Sequence, residues 1–75
     1  MISYNEFMRS LGLKISYYRK MKNMSSDTLA EIAGISSQHL RAIEAPNGKG
    51  APSLQTLLQI ANALDIPVYK LLKFD

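Results

Sequence analysis

The chain has 75 residues and a formal net charge of +3. That is enough for one small core and too few for two, and a core of this size buries roughly 60% of the unfolded surface. With no cysteine and a single histidine, a disulfide framework, a thiolate nucleophile and a sulfur-ligated metal are excluded, and no metal site or cofactor is expected. No apolar run reaches the length of about 18 residues that a membrane span needs. The opening MISYNEFMRSLG has neither a basic leader nor a long apolar segment, so no signal peptide is expected and the cytoplasm is the default location.

Ser3 and Glu6 have the spacing of a capping box, which starts a first helix. Phe7, Leu11, Ile15, Tyr18 and Met21 or Lys22 then recur at helical spacing and carry it to about Lys22. Gly12 interrupts this pattern, because glycine costs about 1 kcal/mol relative to alanine inside a helix. One reading therefore starts the core helix near Leu11 and leaves the preceding residues as an arm or dimer contact. After a break at Asn23-Met24, Ser25 caps a second helix from Ser26 to Ala33, with Leu29, Ile32 and Ala33 on its apolar face. Gly34 ends it, where a left-handed conformation costs glycine little.

Ser36 or Ser37 caps a third helix, whose inward residues are Leu40 and Ile43. Pro46 stops that helix, since the residue before a proline avoids the helical region. Asn47-Gly48-Lys49-Gly50 reads as a surface turn. Pro52-Ser53 opens a fourth helix with Leu54, Leu57, Leu58, Ala61 and Leu64 as its stripe, and Asp65-Ile66-Pro67 breaks it. A last helical piece over Val68 to Lys73 turns Val68, Leu71 and Leu72 inward. The expected fold class is all-α, five short helices in a single domain over residues 1–75 with its core at about 11–74.

The most informative pattern is a spacing. With Ser26 as the first position, Leu29, Ala30, Ala33, Gly34, Ile35, Leu40 and Ile43 follow at intervals that suit two helices joined by a tight turn. Ala30 is small where the second helix crosses the third, and Gly34 permits the turn. Ile35, Leu40 and Ile43 fix the third helix to the body and leave its other face in solvent. This is the geometry that places a helix in a major groove about 12 Å wide.

The phrases GLKISYYRKMKNMS, TLAEIAGIS, HLRAIE and PSLQTLLQIANALDIPVYKLL resemble, in order and spacing, the helix-turn-helix domain of the Cro and C1 repressor type, also called XRE-like. The resemblance runs from about Leu11 to Phe74 and implies a lambda-repressor-like five-helix domain. It also implies a sequence-specific transcriptional regulator, a repressor that binds palindromic double-stranded DNA as a homodimer. The half-sites would lie about 34 Å apart.

The resemblance places the base-reading positions on Ser37, Gln38 and Ala42, with Arg41 alongside. A glutamine amide suits adenine N6/N7, an arginine suits guanine or a phosphate, and an alanine methyl suits the thymine methyl. Ser37 is either a base or phosphate ligand or is spent on the helix cap. Phosphate contacts are expected from Ser26, His39, Asn47 and Lys49. Arg19 and Glu44 stand where the family often ties the first helix to the end of the third by an ion pair.

Two departures stand out. Ser26 is shorter than the glutamine that family members commonly place first in the second helix, and the loop from Ala45 to Ala51 is longer than in compact members and holds Pro46. The charge is also uneven. Arg9, Lys14, Arg19, Lys20 and Lys22 follow one another with no acid among them, whereas Asp27, Glu31 and Glu44 outnumber Arg41 between Ser25 and Pro46. An electrostatic grip on DNA would thus rest on the first helix, the Lys49 loop and the C-terminus.

An enzyme is not expected, because no acid pair or nucleophile-base set stands at useful spacing. The competing reading is an antitoxin-like or other protein-interaction module on the same scaffold. Dimer contacts are expected from Tyr69, Leu71 and Phe74, with Tyr4, Phe7 and Met8 as a second apolar set; the alternative is that both sets fill the small core.

Overall fold

Serine opens four helices among the described residues. A computed structural model describes residues 2–45 and 50–73, so the expectations placed on Pro46, Asn47, Lys49 and Phe74 lie outside the described residues. Five helices run among the described residues: α1 (Tyr4–Met21), α2 (Ser26–Ala33), α3 (Ser37–Glu44), α4 (Leu54–Ala63) and α5 (Tyr69–Leu72). Ser3, Ser25, Ser36 and Ser53 have extended backbone and accept from the N–H of Glu6, Thr28, His39 and Thr56. Each hydroxyl satisfies a donor that the first helical turn leaves without a partner. Glu6 returns the bond to the Ser3 N–H, completing the capping box.

The helix ends share a second device. At Asn23, Gly34 and Asp65 the backbone enters the left-handed region, with φ of 56°, 77° and 57°. The next residue then donates five back, Met24 to Arg19, Ile35 to Ala30 and Ile66 to Ala61, at 3.1, 3.0 and 3.0 Å. These are Schellman ends for α1, α2 and α4. Asparagine and aspartate stand in twice for the glycine usual there.

α1 runs unbroken through Gly12, so the expected weak point does not split it into an arm and a core helix. A Cβ on Gly12 would lie 2.5 Å from the Ile43 carbonyl oxygen and 3.3 Å from Glu44 Cα. The glycine is there because the α1 backbone lies directly on the end of α3. Close packing has outweighed helix propensity.

The core is built from Met8, Leu11, Ile15, Leu29, Ala30, Ala33, Leu40, Ile43, Leu57, Ile60, Ala61, Leu64 and Leu71. Several apolar residues expected inside are not. Ile32, Leu54, Leu58 and Met21 are exposed, Ile60 takes an inward place instead, and Ala30 is buried where its small size was expected. In α4 and its C-cap the buried set is Leu57, Ile60, Ala61 and Leu64, the i, i+3, i+4, i+7 pattern of one face. Leu54 and Leu58 lie on a stripe beside it. Conversely Met8, named in the second apolar set, is 5% exposed and belongs to the core, and Leu71 is 1% exposed, inward as its helical spacing predicts. Among the described residues no helix is long and apolar enough to cross a membrane.

Candidate nucleic-acid interface

The α2–α3 unit is held from three sides. At its turn, the Gly34 and Ile35 N–H groups close on Glu31 and Ala30. Behind it, Gln59 of α4 donates through Nε2 to the Ala33 carbonyl at 3.0 Å, satisfying a helix-end acceptor that α2 cannot satisfy itself. At the far end of α3, Arg19 of α1 donates through Nε and Nη2 to both Glu44 carboxylate oxygens, at 2.9 and 3.0 Å, and through Nη1 to the Met24 carbonyl at 2.9 Å. Both side chains are close to nine-tenths buried. The pair also answers an electrostatic problem, since a carboxylate at a helix C-terminus opposes the helix dipole.

So held, α3 divides cleanly. Leu40 and Ile43 are 0% and 1% exposed and anchor one face. With residues stepping about 100° along a helix, Gln38 falls near the middle of the opposite face, Arg41 and Ser37 to one side of it and Ala42 to the other. Gln38, His39 and Arg41 are exposed, and Ser37 and Ala42 are partly buried. The structure thus brings the four expected base-reading residues onto one outward face. Ser36, not Ser37, caps α3, its Oγ accepting from the His39 N–H at 3.0 Å. The Ser37 hydroxyl is not spent on that cap.

Gln38, His39 and Ala42, with Ser36, Gly50 and Ala51, line a shallow groove of about 370 Å³ along α3. Gly50 and Ala51 enter because the chain returning after α3 lies against it, which no spacing within the helix could reveal. Ser26 is the first residue of α2, partly buried, and follows the Ser25 cap. One basic residue of α1 lies in a second cleft. Lys14 meets Lys70 and Lys73 around a cleft of about 410 Å³ between α1 and α5, with Tyr18 and Tyr69. It shares no residue with the α3 groove.

One member of the outward face has a partner that spacing within either helix does not announce. Arg41 donates through Nη2 to Asp27 Oδ1 at 2.8 Å, with the two side chains 62% and 70% exposed. Asp27 sits in the first turn of α2. The signal that could have found it is an acid and a base placed on the outer faces of two helices joined by the Gly34 turn.

Residues 15–71 match the helix-turn-helix family model. The HTH-type transcriptional regulator SinR of Bacillus subtilis is 40% identical over 62 residues, covering 83% of this chain and 55% of SinR. The chain therefore spans about half the length of the curated relatives it matches. Among solved structures, the restriction-modification controller protein C.AhdI of Aeromonas hydrophila superposes with a TM-score of 0.80 at 30% identity, over 85% of this chain and 94% of that one. SinR in complex with DNA superposes with a TM-score of 0.77 at 40% identity, over 84% and 98% of the two chains. Sequence, fold and the presentation of α3 agree, and the chain belongs to the helix-turn-helix family of the Cro and C1 repressor type.

Proposed function

We propose that the chain is a sequence-specific DNA-binding transcriptional regulator of the cytoplasm, a repressor that lays α3 in the major groove and binds palindromic sites as a homodimer. The observation that carries this reading is the division of α3. Gln38 stands at the centre of an exposed face, while Leu40 and Ile43 on the other face are fully buried. The relatives named as a transcriptional regulator and as a controller protein, and the similar fold solved with DNA, support it. Gln38 reads adenine, Arg41 reads guanine, Ala42 touches a thymine methyl and Ser37 bonds a base edge. Ser26 and His39, with Asn47 and Lys49, contact phosphates. Tyr69, exposed where Leu71 is buried, lies in the dimer contact and leaves both α3 helices free.

Selection of bound duplexes from a random-sequence pool, followed by titration at several salt concentrations, tests the reading. A palindromic consensus with a steep log–log salt slope is the expected result. Weak binding indifferent to sequence would overturn it. That outcome would favour a protein-interaction module, for which Leu13, Tyr17 and Met21, exposed along one stripe of α1, supply a contact surface.

A further inference from the structure

We propose that Asp27 is a positioning residue that sets base specificity: its bond to Arg41 holds the guanidinium for the groove and penalises its capture by phosphate. This inference rests on the DNA-reading function of α3 proposed above. Asp27 lies on α2 and Arg41 on α3, so the bond of 2.8 Å spans the two helices of the motif. It uses one Nη2 donor of a group that has five N–H donors in a fixed fork. The others are enough for a bidentate contact to guanine O6 and N7 while the Asp27 bond persists.

Phosphate capture is different. An arginine on its flexible stem reaches backbone oxygens by swinging away from the groove floor, a movement that the bond to Asp27 opposes. The pair is well exposed, so its intrinsic strength is small, in the range measured for surface ion pairs. A small bias suffices, however, because specificity is a difference between two binding modes and not a total. Asp27 also opposes phosphates directly. Helix N-termini attract anions, and a carboxylate in the first turn of α2 offsets that attraction wherever Arg41 does not neutralise it. Both effects lower sequence-independent affinity more than they lower affinity for the correct site.

The test compares the whole chain with Asp27→Asn, Asp27→Glu and Arg41→Ala, each checked for unchanged thermal unfolding. Binding is measured to the selected duplex, a scrambled duplex, and the duplex substituted at the base pair that Arg41→Ala stops discriminating. For Asp27→Asn, affinity for the scrambled duplex is expected to rise roughly threefold to tenfold at low salt, with a salt slope steeper by about one. Discrimination at the Arg41 base pair falls by a similar factor, Asp27→Glu restores it, and in the Arg41→Ala background Asp27→Asn changes it no further. If the wild-type chain discriminates between duplexes and Asp27→Asn does so equally well, the role of Asp27 is overturned while the DNA-reading function stands. If the wild-type chain shows no sequence preference, both fall together.

Discussion

Two arginine–carboxylate pairs brace α3, and they differ in nearly everything but chemistry. Arg19–Glu44 is bidentate, closely buried and joined by a third bond to the Met24 carbonyl. Arg41–Asp27 is a single bond between side chains that are mostly in water. Burial makes the first matter to the fold, since removing one partner leaves a charge that water reaches only in small part. Exposure makes the second nearly irrelevant to stability and free to exchange for another partner. The same helix is thus fixed at one side and available at the other.

The contrast is sharpest at Arg19. Arg19→Met should cost about 3–5 kcal/mol by leaving Glu44 buried alone. In thermal unfolding that is a fall of well over 10 °C, at about 4–8 °C per kcal/mol for a domain of this size. The double replacement Arg19→Met with Glu44→Leu should recover much of the loss; a loss equal to that of the single change would mean the pair does more than neutralise itself. Next comes Gly12→Ala, which forces the α1 backbone off Ile43 and should cost about 1–3 kcal/mol. A stabilised protein would show that helix propensity, not contact, governs that position.

On the exposed side, Arg41→Ala should leave unfolding within about 1 kcal/mol of wild type. The same change should weaken binding to the selected duplex by about 1–3 kcal/mol and relax preference at one base pair. A large stability loss would erase the distinction between the two pairs. The smallest effect is at Asp65→Gly, which removes an L-residue from the left-handed region at the end of α4. A gain of several tenths of a kcal/mol is expected in denaturant titration.

What was legible in the chain follows the same division. The helices of residues 26–33 and 37–44 show in serine caps and apolar spacing, because caps and periodicity act within a few residues. The Arg19–Glu44 contact came from the family resemblance, and no local rule reaches across 25 positions. Gly12 misled for a physical reason: its cost is local, while its use, the approach of α1 to α3, is tertiary. Ile32, Leu54 and Leu58 fit a helical stripe as well as Ala30 and Ile60 do, and only packing decides between neighbouring stripes. The outward face of α3 was visible as a set of residues, but Asp27 as a partner of Arg41, and Gly50 and Ala51 as the groove wall, depend on how separate segments meet.

In the proposed function the outward face of α3, and not the basic α1–α5 cleft or the exposed stripe of α1, meets DNA. Backbone amide NMR spectra of the chain, recorded during titration with its selected duplex, test that claim directly. The largest shifts are expected at Ser36 through Ala42, with a second group at the start of α2 near Ser26 and Asp27, while Leu13, Tyr17, Lys70 and Lys73 stay nearly still. Shifts concentrated around Lys14, Lys70 and Lys73, with α3 unmoved, would contradict it.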